Sequence, residues 1–483
     1  MSATPSPAPA APLVSPQTPP AETGKSCPAP FLYLIGASVL WLLVASLLGL
    51  IASLKFHAPD FLAGQPYWTY GRVHAAQSAA LLYGFGVLAA LGVGLWLLCR
   101  LGRASLAGPC VVLLGTFFWN LALTIGIAAI LCGDSTGYDA FEMPAYCAPM
   151  LFAAYLMIGV CGLLTFHQRQ EGRLYPSQWF VLGSIFWFPW IFSTAALLLL
   201  ERPARGVLQP LIAWWYARNL STVFLGFAGL APVFYFIPKL LGRPLHSYYL
   251  AALAFWTLAL FGSWGGIPEG APLPSWIVSL GVVGTVMTAV PLLAVAANFC
   301  QTVRHDLNAL DANPTLRFTY VGLMFWFIAG AQQIAGALPN VSAITGFTWF
   351  GAAQKEMFHC GFFALSIFGA FYYIVPRLLE LEESAWCPRL VKAHFYLTFL
   401  GVLISCLSLL VCGVGQGILL ADPRHTFPEV MKNTMFPLRV STLGDLCVVV
   451  GTILFLLNFA RLLARACCRY CAAFPSAKPK EGA

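Results

Sequence analysis

Lys355, Glu356 and His359 are ionisable residues within one long apolar stretch, from Trp349 to Arg377. Ionisable side chains at bilayer depth are costly, so they usually face a bundle interior, a cavity or a cofactor. An imidazole in such a place is suited to haem iron, and two facing imidazoles on different helices hold a haem better than one. The first question is therefore whether a second histidine lies at the same depth.

His74 is the candidate for this second imidazole. It follows the aromatic segment PYWTYGRV, which marks a membrane interface, and the second apolar span begins almost at this residue. His359 lies about ten residues, or about 15 Å, from the same side in the tenth span. We therefore expect the two imidazoles to share one leaflet, although a membrane histidine can also simply hydrogen-bond to a neighbouring helix. His394 opens the eleventh span from the opposite side, so it is predicted to be structural.

The composition places these residues in a membrane protein. Hydrophobic residues make up 59% of the chain and charged residues 9%, which excludes an ordinary soluble protein. Runs of about 20 apolar residues can cross a bilayer as helices. We predict an all-α integral membrane protein, a bundle of twelve transmembrane helices in one domain at 31–465. The predicted spans are 31–54, 74–98, 107–131, 147–166, 177–200, 209–237, 247–266, 275–300, 316–338, 350–375, 394–420 and 441–465.

The placement of Lys and Arg predicts the orientation of these spans. The net charge is +8, and the basic residues outside the spans concentrate in the N-terminal segment, the even-numbered loops and the C-terminal tail. Cytoplasmic segments carry the excess of Lys and Arg, so both termini should be cytoplasmic, and the charge does not indicate nucleic acid. The Pro- and Ala-rich segment 1–30 is predicted to be a disordered cytoplasmic tail, and 466–483 a second cytoplasmic tail.

Arg218 carries a charge inside the sixth span. A guanidinium does not give up its proton, and an unpaired cation at bilayer depth costs at least about 2.5–3.5 kcal/mol. Glu269, at the end of the seventh span, approaches from the same side of the membrane. An ion pair between Arg218 and Glu269 is therefore expected, and a haem propionate or a water-filled cavity are the alternatives. Arg439 returns to the same side at the start of the twelfth span.

The loop between the third and fourth spans is acidic. It contains Asp134, Asp139 and Glu142 and has no basic residue. We predict solvated loop charges, with a docking site for a basic soluble partner as the alternative. Cys132 and Cys147 flank the loop and could form a disulfide, but a lone membrane cysteine is more often a small packing residue.

Short segments spread along the spans form an ordered set. They are YGRVH at 70–74, WWYARN at 214–219, FW at 255–256, HCG at 359–361, YYIVPR at 372–377, GVGQG at 413–417 and LRVSTLGD at 438–445. The set resembles the heme-copper oxidase subunit I family, and most closely its C-family or cbb-type cytochrome c oxidase catalytic subunit. The resemblance covers nearly all twelve spans and implies a bundle of the subunit I type.

The resemblance also implies which residues bind a cofactor. In that family a second-span histidine and the last tenth-span histidine ligate a low-spin haem, and they correspond to His74 and His359. We therefore expect one low-spin haem b whose iron is bound by these two residues, with Arg439 as a propionate partner. Membrane-anchored c-type cytochrome subunits are the implied partners.

The oxygen-reducing centre of the family is expected to be degenerate. The copper-ligand histidines of the family correspond to Arg218, Pro268 and Glu269, and Met357 stands where the high-spin haem has its proximal histidine. A guanidinium offers no free lone pair and proline has no donor atom, so we expect no copper and no catalytic residues. The tenth span also allows a second register, anchored on YYIVPR, which places Gln354 and Glu356 at its two histidine positions.

Three functions remain open at this stage. The leading one is a degenerate cbb-type paralogue that transfers electrons in a respiratory complex of the bacterial inner membrane. The second is an active terminal oxidase or nitric oxide reductase whose non-standard metal site uses Glu269 or Glu356. The third is a haem-free scaffold or assembly partner of an oxidase. Haem content separates the third function from the first, and carbon monoxide binding separates the second.

Overall fold

The computed structural model describes residues 27–303, 310 and 313–473, with side chains described as far as residue 469. Secondary structure in this part of the chain is helical throughout. The tail predicted at 1–30 lies almost entirely outside the described residues, and so does the end of the tail predicted at 466–483. The last helix continues from the twelfth span into this second tail as far as Ala473.

Each predicted span corresponds to one helix of the described chain. Eleven of these helices are long and apolar enough to cross a membrane, and the helix at the seventh span is apolar but shorter. The helices are α1 (Ala29–Lys55), α2 (Tyr70–Gly102), α3 (Pro109–Cys132), α4 (Ala145–His167), α5 (Pro176–Glu201), α6 (Leu208–Leu241), α7 (Tyr248–Gly262), α8 (Ser275–Val303), α9 (Pro314–Ala337), α10 (Trp349–Leu378), α11 (Pro388–Ala421) and α12 (Phe427–Ala473). The predicted all-α membrane bundle is confirmed.

Helix α7 ends earlier than the apolar pattern predicts. Its start is fixed by Ser247, whose side chain accepts a hydrogen bond from the Leu250 amide at 3.3 Å. The chain then leaves the helix after Gly262 and enters a segment rich in Gly and Pro, in which Gly266 has φ +93°. Glycine adopts this left-handed conformation without a steric penalty. The end of the seventh span is therefore an irregular loop that passes close to α6.

Helices α2, α6 and α10 form the centre of the bundle. In their most apolar stretches 94%, 94% and 100% of the residues are buried in the protein, against 33–50% in the other long spans. A helix that is buried all round has no lipid-facing side, so its polar residues must face other helices or cavities. His74, Arg218 and His359 each lie on one of these three helices.

The same three helices contain π-helical segments. These segments are Ala80–Val87 in α2, Asn219–Leu225 in α6 and Met357–Ala364 in α10. The i→i+5 hydrogen bonds of a π-segment change which residues share a helix face, and such segments often occur at functional sites. Arg218 directly precedes one π-segment, and His359 lies inside another.

The GVGQG segment positions α10 by close backbone packing. A Cβ atom on Gly413 would lie 2.0 Å from the Phe350 amide nitrogen, and one on Gly417 would lie 2.0 Å from the Ile344 carbonyl oxygen. The intervening Gln416 accepts a hydrogen bond from the Trp349 amide at 3.3 Å. Only glycine allows α11 to approach this closely, so the motif fixes where α10 begins.

Candidate cofactor site between helices α2, α6 and α10

A cavity of about 390 Å³ lies between α2, α6 and α10, and we call it the central cavity. Both candidate imidazoles, His74 of α2 and His359 of α10, line its wall. Arg218, Ser221 and Lys355 are among the other polar side chains in this wall. The volume lies within the range of about 300–1,000 Å³ that is usual for small-molecule sites. The structure thus brings the two predicted haem ligands to one cavity.

His359 also contacts the sixth helix directly. Its Nε2 atom lies 3.0 Å from the Ser221 hydroxyl oxygen, and the residue is 8% exposed. Both residues belong to π-helical segments, so the bond joins the two widened turns of α6 and α10. The alternative expectation for a membrane histidine, a hydrogen bond to a neighbouring helix, is therefore met at His359.

A second cavity, of about 150 Å³, lies beside the first between α1, α2, α10 and α12, and we call it the lateral cavity. His74 lines this cavity as well, together with Glu356 and Cys360 of α10 and Asp445 of α12. Asp445 is held in place by Ser405, whose hydroxyl donates to Oδ1 at 2.9 Å. The lateral cavity is thus lined by one imidazole, one thiol and two carboxyl groups.

The side chains of α10 differ in which of the two cavities they line. Gln354 and His359 line the central cavity, and Glu356 lines both cavities. Met357, assigned by the resemblance to the high-spin haem position, is 5% exposed and lines neither cavity. Gln354 and Glu356, which the second register places at its two histidine positions, therefore each line at least one cavity.

Two polar residues of the lateral cavity are not among the residues that the sequence predicts for the site. Asp445 is a carboxylate inside an apolar span, which is itself a signal of a functional position. Cys360 is one of 15 cysteines in the chain, and a lone membrane cysteine is more often a small packing residue. A systematic search for acidic residues inside spans would have found Asp445, whereas nothing in the sequence distinguishes Cys360.

The three positions that correspond to the copper ligands separate in the structure. Arg218 lines the central cavity, whereas Pro268 and Glu269 lie in the loop after α7 and line neither cavity. Arg218 Nε and Nη2 and Glu269 Oε2 are buried without a hydrogen-bond partner among the described residues. The predicted Arg218–Glu269 ion pair is therefore wrong.

The side chain of Arg218 takes a different course because of two glycines. A Cβ atom on Gly265 would lie 2.9 Å from Nη2 of Arg218, and one on Gly266 would lie 2.8 Å from its Cβ. The backbone after α7 thus packs directly against the arginine side chain. Glu269 follows further along this loop, so the guanidinium is covered by peptide groups instead of a carboxylate.

The loop between α3 and α4 contributes to the wall of the central cavity. Asp139 lines the cavity and forms an ion pair with Lys355 of α10, and both side chains are about half exposed. Burial acts to raise the pKa of Asp139, but the neighbouring Lys355 ammonium outweighs it and holds the pKa below its usual value. This ion pair ties the loop to α10 beside the two imidazoles.

The prediction of solvated charges in this loop is wrong for Glu142. Glu142 is 5% exposed, and its Oε1 accepts a hydrogen bond from the Ala140 amide at 3.1 Å. Burial raises the pKa of this carboxyl to about 7. The Ala140 carbonyl in turn accepts from the Tyr83 hydroxyl of α2 at 2.8 Å. The loop is therefore packed onto the bundle, and Asp134 is an exposed acid in it that has no basic partner among the described residues.

The remaining candidate residues lie apart from the cavities. Arg439 is exposed and lines neither cavity. His394 is fully buried and its Nδ1 lies 2.8 Å from the Tyr372 hydroxyl, which agrees with a structural role. Cys132 and Cys147 are both free thiols, so the disulfide considered from the sequence is not formed.

A model of the family described as cytochrome c and quinol oxidase polypeptide I matches residues 30–464. The chain belongs to this family. The matched region includes all twelve helices, apart from the first residue of α1 and the last residues of α12. It contains both cavities. The prediction of a heme-copper oxidase subunit I protein is thereby confirmed.

Curated relatives within the oxidase family agree with this assignment. A cytochrome c oxidase subunit 1 homolog of Azorhizobium caulinodans is 26% identical over 457 residues, which covers 89% of this chain and 81% of the relative. A cbb3-type cytochrome c oxidase subunit of Stutzerimonas stutzeri is 24% identical over 398 residues, covering 79% of this chain and 82% of the relative. The chain is thus an integral membrane protein with cbb3-type relatives.

Haem is the group that an oxidase family implies, and the central cavity meets one requirement for it. Two imidazoles, from His74 and His359, line a single buried cavity, and neutral imidazole is a common axial ligand of haem iron. Across the described residues, no three His, Cys, Asp or Glu side chains lie together as they would to hold a metal ion. The pair of imidazoles is a donor set that fits a haem iron.

Proposed function

We propose that this protein is an oxidase-like membrane subunit that holds one low-spin haem b between His74 and His359. In this proposal it transfers electrons within a respiratory complex and does not reduce oxygen. The observation that carries the proposal is that both imidazoles line the central cavity. A haem iron with two histidine ligands supplies a one-electron carrier and has no open coordination position for oxygen.

The residues at the oxygen-reducing positions support the second part of the proposal. Arg218 projects a cation where the family has a copper-ligand histidine, and Pro268 and Glu269 lie away from both cavities. A guanidinium repels a metal ion and has no lone pair to donate. Replacing three imidazoles in this way removes the donor atoms that copper prefers.

The protein residues around the cavity have separate roles in this proposal. His74 and His359 hold the iron, and Ser221 orients the His359 ring through its hydrogen bond. The surrounding helices shield the cavity from lipid, since α2, α6 and α10 are almost wholly buried. The exposed Arg439 lines neither cavity, so the proposal assigns it no propionate contact.

The proposal extends to cellular context by family resemblance. The charge distribution supports a bacterial inner membrane protein with both termini in the cytoplasm. The cbb3-type relative supports partners of the c-type cytochrome class, which would supply electrons from the outer side. The complex, in this view, uses the subunit as an electron relay.

A reduced-minus-oxidised spectrum with a haem count tests the proposal. We expect one b-type haem per chain with a six-coordinate low-spin spectrum that carbon monoxide leaves unchanged. His74→Ala and His359→Ala should each abolish this spectrum. His394→Ala is the matched control, because His394 is also buried in the bundle but bonds to Tyr372, and it should keep the full haem content.

Two results would reject the proposal in different ways. Folded protein without haem would leave a scaffold or assembly role as the better explanation. A carbon monoxide adduct, or one copper per chain, would instead indicate a working oxidase or nitric oxide reductase with an unusual metal site.

A further inference from the structure

A chain of hydrogen-bonded side chains joins α1 to α12 beside the lateral cavity. His57, in the loop after α1, has its Nε2 atom 3.2 Å from the Thr442 hydroxyl oxygen of α12. The Thr442 hydroxyl lies 2.7 Å from the Ser53 hydroxyl of α1, and either oxygen can be the donor. Ser53 and Asp445 both line the lateral cavity, and the Ser53 side chain interacts with the Asp445 carboxyl group. The chain therefore leads from His57 to a carboxyl group inside the bundle.

The two ends of this chain lie in different surroundings. His57 is partly exposed, whereas Ser53 and Thr442 are each 7% exposed. The neighbouring Phe56 packs against Trp349, the first residue of α10, with ring centroids 4.7 Å apart. His57 therefore lies at the end of the bundle where α10 begins, which the charge distribution predicts to be the outer side.

The inner end of the chain is acidic. The titratable groups that line the lateral cavity together with Asp445 are Tyr70, His74, Glu356 and Cys360, and Cys406 of α11 also lies near the Asp445 carboxyl. No Lys or Arg of the described residues lines this cavity. Two neighbouring carboxyl groups without a cation are not both ionised in a bundle interior, so one of the pair keeps a proton. Glu356 also lines the central cavity, so the acidic end of the chain borders both cavities.

We propose that His57, Thr442 and Ser53 form a proton relay between the outer water and the Asp445 carboxyl group. Protonated His57 gives its Nε2 hydrogen to the Thr442 oxygen, and the original Thr442 hydrogen passes to the Ser53 oxygen. The original Ser53 hydrogen then passes to the Asp445 carboxylate. One proton moves inward, each hydroxyl group ends with one hydrogen, and His57 takes up a new proton from water.

The side chains have the donors and acceptors that this transfer requires. Imidazole exchanges protons with water near neutral pH, which suits His57 at the entry. The Thr442 hydroxyl has two acceptors in reach, the Leu438 carbonyl at 3.0 Å and the Ser53 oxygen. A hydroxyl hydrogen rotates to suit its partners, and the oxygen accepts while the hydrogen is donated. When Thr442 donates to Ser53, it can therefore accept from His57 at the same time.

Infrared spectroscopy of the purified full-length protein tests the relay by hydrogen–deuterium exchange. The C=O stretching band of a protonated carboxyl group shifts when deuterium replaces its hydrogen, so the rate of the shift in D₂O reports access of protons. Asp445→Asn identifies the band by its loss, and Asp445→Glu identifies it by its displacement if Asp445→Asn does not fold. The measurement does not require haem, so the relay is independent of the proposed electron transfer.

Thr442→Val removes the middle of the relay at nearly constant side-chain volume. The Asp445 band should remain but exchange about tenfold or more slowly, because a hydrogen-bonded link is lost from the path. Ser53→Ala removes the next link and is the test variant if Thr442→Val does not fold. His57→Gln keeps a hydrogen-bond donor but takes up no proton. It should slow the exchange too, which the loss of a purely structural contact would not explain.

Thr452→Val is the matched control. Thr452 lies on the same helix, is 2% exposed and donates to the Val448 carbonyl at 2.9 Å, much as Thr442 donates to the Leu438 carbonyl. Its side chain lines neither cavity, so the variant should exchange at the wild-type rate.

Two results overturn the relay. One is an equal exchange rate of the Asp445 band in the wild type, Thr442→Val and His57→Gln, which would leave these contacts as links between helices. The other is the lack of any Asp445 band over the pH range in which the protein stays folded, because the carboxyl group then takes up no proton. Slower exchange in these variants of a protein that lacks haem would reject the electron-transfer proposal and leave the relay standing.

Discussion

His359 Nε2 lies 3.0 Å from the Ser221 hydroxyl oxygen, which joins α10 to α6 at the central cavity. If the other ring nitrogen binds iron, Nε2 carries the hydrogen and donates it to Ser221. A hydrogen bond of this kind makes the imidazole a stronger ligand. The contact links two helices, and in the proposed haem site it would also tune the haem iron.

Ser221→Ala is predicted to raise the midpoint potential of the haem. Loss of the acceptor makes the imidazole a weaker electron donor to the iron. The oxidised iron is then stabilised less, so the midpoint potential rises. Spectroelectrochemical titration measures the change. Tyr372→Phe removes the corresponding hydroxyl beside the other buried imidazole, His394, and should leave the potential unchanged. Equal shifts in both variants would contradict iron binding by His359.

Tyr83→Phe should destabilise the protein more than Tyr216→Phe. The Tyr83 hydroxyl donates to the Ala140 carbonyl at 2.8 Å and lies 2.7 Å from the Tyr216 hydroxyl, so Tyr216 is the donor between them. Tyr83→Phe leaves two buried polar groups unpaired, at about 1–3 kcal/mol each, whereas Tyr216→Phe removes one hydrogen bond worth about 0.5–1.5 kcal/mol. Thermal unfolding in detergent measures both, and equal losses would show that the loop does not depend on Tyr83.

Glu142 should make the stability fall as the pH rises from about 4.5 to about 7. Burial raises the pKa of its carboxyl to about 7 from 4.5, so the folded protein binds more protons than the unfolded chain in this window. The full effect is at most about 3 kcal/mol. The pKa of Asp139 is lowered, so protonation of this residue affects the stability only at a pH below this range.

Glu142→Gln tests this pH dependence. The variant should have a smaller slope in melting temperature between pH 5 and pH 8 than the wild type, and it should be more stable than the wild type at pH 8. Asp134→Asn changes an exposed acid of the same loop and should keep the wild-type slope. A slope that survives in Glu142→Gln would assign the effect to another group.

Arg218→Leu and Glu269→Leu should act independently on stability. The two side chains do not pair, so the double variant should equal the sum of the single changes within about 0.5 kcal/mol. Arg218→Leu should itself cost little, because it removes a buried cation that no carboxylate among the described residues offsets. Thermal unfolding measures this double-mutant cycle. A coupling energy of several kcal/mol would show that the two side chains do form an ion pair.

The sequence was sufficient to predict the membrane bundle, because a run of about 20 apolar residues has few alternatives to a spanning helix. The facing of α10 was harder to predict. Its π-segment Met357–Ala364 breaks the 3.6-residue periodicity on which facing is usually inferred. Two registers were open because His359 lies closer to Pro376 than the resemblance implies. In the structure Glu356, just before the π-segment, lines both cavities, whereas His359, inside it, lines only the central cavity.

The contacts of individual charges were the least predictable part of the site. Arg218 and Glu269 approach from the same side, but the close course of Gly265 and Gly266 decides that they do not pair. Glu142 lies in a polar loop, and its burial depends on the tertiary contact between Tyr83 and Ala140. Such contacts depend on how distant segments meet, which apolar patterning does not encode.

The ion pair between Asp139 and Lys355 also has a kinetic consequence. It lies beside the central cavity with both side chains about half exposed, so separating it costs only about 0.2–1 kcal/mol and less at high salt. Exchange of small solutes between the outer water and the cavity by this route should therefore be fast. Its rate should increase with ionic strength, whereas the helices that form the cavity remain closed.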